Sequence, residues 1–347
     1  MMRDLFESAL EKLFTDHVSA ASVIGAEDGT WLAELWGVLE ESGFALASAP
    51  EAQGGAGASW DDLFPVLLLC GRFSLPLPLP ETLLGNWVLG KCGIQAVRGS
   101  MSIAADAELI LDGQTVSGLL RQVPWGRHVT QVVAIVESDE PLVVVIDTAA
   151  CSDQRLSTNT AGEPRDDLVL KDATPLFSAP LAACLECDVL KRGGALLRSV
   201  QMAGALQELL QLSSNYVNER VQFGKPIAKF QVVQHQLAVM AEHVAAARVS
   251  AEAACVESTD TLASLPVMAA KICASEAAGV GASLGHGVHG AIGFTHEYSL
   301  HLLTRRLWSW RSEYGSATYW SDELGRAVCH AGALQYWPSI TSGVLPQ

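Results

Sequence analysis

Residues 220–237 read Arg-Val-Gln-Phe-Gly-Lys-Pro-Ile-Ala-Lys-Phe-Gln-Val-Val-Gln-His-Gln-Leu, and this stretch decides the fold of the second half of the chain. It ends one segment of helical periodicity, turns at Gly224 and Pro226, and begins another. Arginine, lysine and glutamine side chains gather at the turn, although the chain carries a formal net charge of −16. The cluster favours an anionic ligand, and a solvated, capped helix end is the alternative interpretation.

The segments on both sides of this turn have the spacing of amphipathic helices. Apolar residues recur along 196–210, and they recur in steps of three and four along 230–254. Pro266 suits the first turn of a third helix, and a fourth is expected at about 297–310. Four long helices with short connections predict an antiparallel four-helix bundle over residues 189–347.

The chain before the bundle divides into two further blocks. Residues 1–97 have helical patterns, whereas residues 98–188 contain short β-type runs. These runs are 108–111, 115–119, 131–136, 142–146 and 168–170, and the first two are joined by Asp112-Gly113, a favoured hairpin turn. The sequence therefore predicts an α+β fold with an N-terminal helical domain (1–97), a small middle β domain (98–188) and the C-terminal bundle (189–347).

Composition narrows the class of protein. With 347 residues, 49% of them hydrophobic, the chain can bury a substantial core, and its acidic balance argues against nucleic acid binding. Apolar runs such as 66–70 are too short to span a bilayer, and no signal-peptide pattern is recognised.

The chain has eight cysteines, most of them in apolar surroundings, such as Cys70, Cys255, Cys273 and Cys329. This pattern predicts reduced thiols in the core of a cytoplasmic protein. One CxxC at Cys184 and Cys187 has no second pair at zinc spacing, so no metal site is predicted.

A second candidate stretch runs over residues 285–297, Gly-His-Gly-Val-His-Gly-Ala-Ile-Gly-Phe-Thr-His-Glu. Glycines let a backbone approach a ligand closely, and a helix beginning just afterwards offers free N–H groups to an anion. A tight turn between packed helices is the alternative. The histidines form no fixed metal-binding face, so we expect His289 to be a polar wall or a capping group.

Taken together and in this order, the two stretches resemble the C-terminal domain of the acyl-CoA dehydrogenase family. The turn at Arg220, Phe223, Gly224, Phe230 and Gln231 is similar to the family's Arg-x-x-Phe-Gly…Phe-Gln motif, and 290–297 is similar to its Gly-Gly-x-Gly-Phe-x-x-Glu corner. The 50–57 loop and the Pro80-Glu81-Thr82 segment also resemble that family. The resemblance covers nearly the whole chain.

The resemblance implies a flavin adenine dinucleotide (FAD) bound across a subunit interface, and therefore an oligomer. By analogy, Arg220 pairs with the pyrophosphate, for which a forked guanidinium is well suited, and the backbone of 287–291 approaches the adenine side. The implied cofactor-binding residues are Arg220, Gln222, Phe223, Phe230, Gln231, Gly287, Val288, His289, Gly290 and Ala291.

The chain departs from the family at two places. A Thr-Glu-Pro-Gly-x-Gly-Ser-like loop normally grips the flavin ring, but residues 102–109 here lack proline, glycine and a paired hydroxyl. The family's catalytic glutamate occupies one of two positions; the first is 192–195, without a carboxylate, and the second falls on Tyr314. Its neighbour Glu313 is the remaining candidate base, and a solvated or salt-bridged surface glutamate is the alternative. A helix would turn Glu313 away by about 100°, whereas a loop would let it reach.

These departures resemble the small subunits of heteromeric bacterial acyl-CoA dehydrogenases. Such subunits pair with a larger chain that carries the glutamate and most of the flavin site, often for steroid-type or other bulky acyl-CoA substrates. The expected function is that of a subunit in flavin-dependent α,β-dehydrogenation of an acyl-CoA thioester, completing the FAD site of a larger partner. A self-sufficient homo-oligomeric enzyme and a non-catalytic scaffold subunit are the alternatives.

Overall fold

The computed structural model describes residues 2–344, and its first part is helical, as predicted. Ser19 and Ser59 begin two of the helices with capping boxes, in which the serine side chain accepts the backbone N–H three residues on. The five N-terminal helices are α1 (Met2–His17), α2 (Ala20–Glu27), α3 (Ala33–Glu41), α4 (Trp60–Arg72) and α5 (Leu79–Lys91).

The middle part forms two four-stranded sheets. Its strands are β1 (Met101–Ile103), β2 (Asp106–Asp112), β3 (Thr115–Pro124), β4 (Gln131–Val136), β5 (Leu142–Asp147), β6 (Asp153–Arg155), β7 (Arg165–Ala173) and β8 (Phe177–Pro180). One sheet has the order β1-β4-β5-β8 and the other β2-β3-β7-β6. Only the β1–β4 pair is parallel, and Asp112 pairs with Thr115 around the predicted hairpin turn. The predicted β structure of the middle part is therefore confirmed.

Strand β3 carries an irregularity that bears on the candidate site. The register of β3 against β7 shifts between Leu120 and Val123, and Gln122 takes a left-handed backbone conformation with φ +48°. The N–H of Gln122 is bonded to Asp167 Oδ1 at 2.9 Å. A bulge of this kind redirects side chains at a strand end, and here it places Gln122 and Pro124 in the wall of a cavity.

The C-terminal part is helical and contains the predicted bundle. Its helices are α6 (Val189–Glu219), α7 (Gln231–Glu257), α8 (Ser264–His289) and α9 (Leu300–Trp310), followed by α10 (Ala317–Ala331) and α11 (Ala333–Ser342). The predicted turn at Gly224 and Pro226 is a short hairpin of β9 (Val221–Gln222) and β10 (Lys225–Pro226). Helix α9 begins three residues later than expected, and α10 and α11 were not predicted.

The N-terminal helices and the bundle share one hydrophobic core, while the sheets bury a second, smaller one. Helices α4 and α6 touch backbone to backbone, because a Cβ at Gly71 would lie 1.9 Å from the carbonyl oxygen of Gln201, and one at Gly204 would lie 1.9 Å from that of Leu68. The sheets begin at Met101 and α6 at Val189. The division into domains at residues 98 and 189 stays a prediction.

Helix α8 is more apolar than the sequence runs suggested. The segment Ser264–Phe294 is long and apolar enough to cross a membrane by length and composition, contrary to the expectation that no segment reaches that length. Its most apolar window is 56% buried, since α8 packs against α6, α7 and α9. Packing in the core accounts for this composition. A single helix of this length and composition is weak evidence for a membrane span, because the core helix of a folded protein meets the same criterion.

The cysteines follow the prediction only in part. Cys70 and Cys255 are buried, and burial raises the pKa of both thiols. Cys329 is exposed, contrary to the apolar surroundings expected for it, because it lies on the outer side of α10. Cys184 and Cys187 are also exposed, and all eight cysteines are free thiols.

Candidate functional site

The two predicted stretches meet at one end of the bundle, where α6 and α8 end and α7 begins. Tyr216, one turn before Arg220, donates its hydroxyl proton to the carbonyl oxygen of His289 at 3.3 Å. A Cβ at Gly287 would lie 3.9 Å from the side-chain nitrogen of Gln236 on α7. We name residues 220–231 and 287–291 together the hairpin end. Residues some 60 positions apart in sequence thus share one surface.

The polar side chains of the hairpin end are open to solvent. Arg220, Gln222 and Gln231 are exposed, and within residues 2–344 their side chains make no hydrogen bond or ion pair. Phe223 is 91% exposed with φ +53°, and its ring meets that of Phe230 edge to face at 6.1 Å. Unpartnered donors beside an exposed aromatic ring are available to a ligand or to another chain.

The glycine-rich corner divides into exposed and buried members. Gly287, Gly290 and Ala291 are exposed, whereas Val288 and His289 are buried. Gly290 ends α8 with φ +63°, and its N–H bonds to the carbonyl oxygen of His286. A close backbone approach by a ligand is therefore geometrically open at the three exposed positions.

The ring of His289 is occupied by the protein itself. Its Nδ1 lies 2.8 Å from the carbonyl oxygen of Gly285, and its Nε2 lies 3.2 Å from the hydroxyl of Tyr298. Burial lowers the pKa of this histidine, so the neutral ring is favoured. This geometry agrees with the capping alternative for His289 and leaves no free ring nitrogen for a ligand.

At the other end of α6, the two sequence departures come together around a cavity of about 410 Å³. We name this region, with the turn 311–315, the corner end. Ser102 is completely buried, and only two residues connect β1 to β2, so no ring-gripping loop forms there. The cavity is lined by Ile103, Ala105, Asp106, Arg121, Gln122, Pro124, Arg165, Lys191, Glu313, Tyr314 and Gly315.

Glu313 is held by two arginines and an amide. Arg165 donates to both carboxylate oxygens at 3.0 Å, Arg198 donates to Oε2 at 2.7 Å, and Asn159 donates to Oε1 at 2.9 Å. Burial alone would raise the pKa of Glu313, but the charges of Arg165 and Arg198 hold it well below its usual range. A carboxylate with such a low pKa is a poor proton acceptor at neutral pH, so this geometry argues for a structural role and against the catalytic one.

The ion pairs around Glu313 continue into the rest of the molecule. Arg198 also bonds to Glu81 of α5 at 2.7 Å, and Arg165 bonds to Glu163 at 2.9 Å. Arg306 of α9 joins Glu163 to Glu27 of α2. The network therefore connects the N-terminal helices, the sheets and the bundle through buried or nearly buried charges: Glu27, Glu81, Glu163, Arg165, Arg198, Arg306 and Glu313.

Tyr314 occupies the position at which the family's second glutamate was expected. Its backbone has φ +55°, and its ring packs on α6, since a Cβ at Gly194 would lie 2.4 Å from the ring. Its hydroxyl is buried and has no hydrogen-bond partner among residues 2–344, and burial raises the pKa of this phenol. The other carboxylate of the cavity, Asp106, is exposed and lies opposite Arg121 in the β2–β3 ladder.

Lys271 fixes the turn that carries Glu313 and Tyr314. It is fully buried on α8, and its Nζ donates to the carbonyl oxygens of Trp310 and Arg311 at 3.0 Å each. These are carbonyls at the end of α9, which a lysine can satisfy. Burial lowers the pKa of Lys271 to about 7.

Sequence reasoning missed the partners of Glu313 and the capping lysine. A signal was present, because Arg198 and Lys271 both fall inside apolar helical stretches, where charged residues are seldom buried unless they are paired. Their partners, on other elements, were not deducible from spacing along one helix.

The fold matches solved acyl-CoA dehydrogenase structures. The ChsE4–ChsE5 complex from Mycobacterium tuberculosis aligns with a TM-score of 0.86 and 21% identity, covering 96% of this chain and 98% of the matched chain. The Tcur3481–Tcur3483 steroid ACAD G363A variant aligns with a TM-score of 0.82 and 22% identity, covering 93% and 96%. The predicted α+β architecture is therefore confirmed.

Two sequence comparisons identify the family. Residues 193–319 match the family model "Acyl-CoA dehydrogenase, C-terminal domain". Acyl-CoA dehydrogenase IpdE2 of Mycobacterium tuberculosis is 30% identical over 323 residues, which cover 88% of this chain and 90% of that protein. These two matches bear out the resemblance read from the motifs. The chain belongs to the acyl-CoA dehydrogenase family.

Proposed function

We propose that this chain is a subunit of an FAD-dependent acyl-CoA dehydrogenase and that its hairpin end completes the FAD site of a larger, homologous partner. The observation that carries the proposal is the contrast between the two ends of α6. One end presents unpartnered cationic and amide donors, and the other has its carboxylate paired and its base position filled by Tyr314.

The two ends are too far apart to serve one dinucleotide within a single chain. Gly194 and Glu219 are 25 residues apart on α6, which corresponds to about 38 Å at the usual rise of 1.5 Å per residue. A cofactor held by Arg220 would therefore have its ring on another subunit. The adenine and pyrophosphate part fits the hairpin end, which offers a guanidinium and exposed glycine backbone.

The corner end of this chain does not fit a flavin ring with its substrate. Gly193 and Gly194 lie against Leu84 and Tyr314, since a Cβ at either position would come within 2.5 Å of those side chains. Of the two carboxylates that line the cavity, Glu313 is ion-paired, with its pKa held well below its usual range, and Asp106 is exposed opposite Arg121. When bound, FAD would supply the hydride acceptor, and we assign the glutamate base and the acyl site to the partner.

The comparisons support a mixed assembly and a bulky substrate. ChsE4–ChsE5 is a complex of two named subunits, and Tcur3481–Tcur3483 is described as a steroid ACAD. By extension, we propose a hetero-oligomer that acts on a steroid-type or similarly bulky acyl-CoA. A cytoplasmic location, expected from the free thiols, belongs to the same proposal.

Flavin content tests the assignment. The chain purified alone is expected to be colourless, and the complex formed by co-expression with a larger homologous subunit is expected to retain FAD. Arg220→Ala should lower the affinity of that complex for FAD by at least about tenfold, because it removes the charge-assisted hydrogen bonds of one guanidinium to phosphate. Arg248→Ala, an exposed arginine on α7, removes the same charge elsewhere and should leave FAD binding unchanged.

Three results would contradict the proposal. If the chain alone is yellow and is bleached by acyl-CoA, it is a self-sufficient enzyme. If neither preparation retains FAD, the chain is a scaffold. If Arg220→Ala and Arg248→Ala behave alike, the pyrophosphate assignment is wrong even though the subunit role stands.

A further inference from the structure

Three aromatic side chains join the two halves of the hairpin end. The ring of Tyr216 stacks on that of His289, with centroids 4.5 Å apart and planes inclined by 24°. Tyr298 meets His289 at 5.1 Å and Tyr216 edge to face at 6.1 Å. Tyr216 lies on α6, His289 ends α8, and Tyr298 precedes α9, so the cluster adds a polar and aromatic contact at the ends of three helices that also pack along their lengths.

The hydrogen bonds of this cluster have defined directions. The carbonyl oxygen of Gly285 can only accept, so Nδ1 of His289 carries the proton, and Nε2 accepts from the hydroxyl of Tyr298. The hydroxyl of Tyr216 donates to the carbonyl oxygen of His289. Both tyrosine hydroxyls are thus committed to His289, one to its ring and one to its backbone.

The same three elements carry the groups assigned to the cofactor. The backbone N–H of Arg220 bonds to the carbonyl oxygen of Tyr216 at 2.9 Å, so Arg220 follows Tyr216 by one helical turn. Gly290 directly follows His289. The Tyr216–His289 stack is therefore a direct side-chain contact between the segment that carries Arg220 and the segment that carries the 287–291 backbone. The tip of the hairpin, from 221 to 225, is exposed, so the fixed part of this end lies at Tyr216 and His289.

We propose that Tyr216 and His289 are positioning residues that hold Arg220 and the 287–291 backbone at the separation needed to grip the adenosine diphosphate part of FAD. This inference rests on the proposed function and adds residues whose side chains do not contact the cofactor. Aromatic stacking stabilises one relative arrangement of the two helix ends beyond what burial of the rings provides.

A double-mutant cycle on the complex of this chain with its larger partner tests the proposal. The readout is the rate of FAD release, followed by flavin fluorescence. Tyr216→Leu removes the stack and should speed release about tenfold, whereas Tyr216→Phe keeps the ring and should change it by no more than about threefold. If Tyr216 acts through Arg220, the Tyr216→Leu/Arg220→Ala double variant should release FAD no faster than Arg220→Ala alone, within about twofold.

The outcomes separate this inference from the proposed function. Tyr336→Leu, an exposed tyrosine on α11, is the matched control and should not change release. Additive effects of Tyr216→Leu and Arg220→Ala, or a Tyr216→Leu rate like wild type, would overturn the positioning role while leaving the Arg220 assignment intact. An unchanged rate in Arg220→Ala would instead overturn the assignment on which this inference rests.

Discussion

Each end of α6 carries an arginine, but one is exposed and the other is buried in ion pairs. At the hairpin end, Arg220 is exposed and unpartnered within the described chain, whereas at the corner end Arg198 is 2% exposed and bonded to Glu81 and Glu313. An arginine in water keeps its hydration and can exchange it for a phosphate, but a buried arginine must keep the partners it has. The difference shows that charge alone does not mark a ligand site; availability does.

Burial decides which end tolerates substitution. A buried ion pair adds little when compared with a well-packed apolar pair, yet breaking one by removing a single partner is costly, because the other charge stays buried. Exposed charges cost almost nothing to remove. The corner end should therefore respond to mutation through stability, and the hairpin end through cofactor binding.

Arg198→Met should have the largest effect on stability and would test the corner end most directly. It leaves Glu81 and Glu313 buried without their shared partner, and we expect a loss of about 3–5 kcal/mol in the free energy of unfolding, measured by urea denaturation. Arg248→Met on the exposed side of α7 is the control and should stay within about 0.5 kcal/mol of wild type. A loss below about 1 kcal/mol in the free energy of unfolding for Arg198→Met would show that the ion-pair network does not stabilise the corner end.

Lys271 gives the corner end a pH dependence with a definite sign. The pKa of Lys271 is lowered to about 7 in the folded chain, against about 10.4 when unfolded. Between these values the unfolded state holds a proton that the folded state lacks, so the free energy of unfolding should rise with pH, by at most about 1.4 kcal/mol per unit. Below about pH 7 both states are protonated and the slope vanishes.

The measurement is a comparison of urea denaturation at pH 6.5 and pH 9 for wild type and Lys271→Met. The variant should lack the rise, and the difference between the two profiles isolates Lys271 from the cysteines, whose raised pKa values act in the opposite direction. Lys12→Met, an exposed lysine on α1, should keep the wild-type profile. Parallel profiles for wild type and Lys271→Met would mean that the lysine stays charged at its carbonyl partners.

The two ends of α6 also differ in how much of their structure could be predicted from the sequence. Helical periodicity and the turn at Gly224 and Pro226 predicted the bundle and brought the Arg220 stretch to a helix end, because those signals are local. The motif order then joined that stretch to the 287–291 corner. Helices α10 and α11 were missed, since Gly315 and Gly332 interrupt the pattern and only the Ser316 cap announces a new start.

The ion pairing of Glu313 at the corner end could not be predicted from the sequence, for a different reason. Glu313 was left as a candidate base, depending on whether its segment was helix or loop. It lies in a turn, where a carboxylate has freedom to reach, yet Arg165 from β7 and Arg198 from α6 determine its role. Those contacts join residues 115 and 148 positions apart, and no pattern along one element predicts such a pairing.

Gln231→Ala should have the smallest effect on stability and tests the open end alone. Gln231 begins α7, is exposed, and makes no side-chain hydrogen bond within residues 2–344, so the free energy of unfolding should change by less than about 0.5 kcal/mol. In the mixed complex, losing one neutral hydrogen bond of about 0.5–1.5 kcal/mol to the nucleotide should speed FAD release by about two- to twelvefold. Gln335→Ala on α11 should change neither quantity. The prediction fails if Gln231→Ala lowers the free energy of unfolding by as many kcal/mol as it costs in FAD binding. In that case the hairpin end would not be a free surface and would not differ from the corner end in this respect.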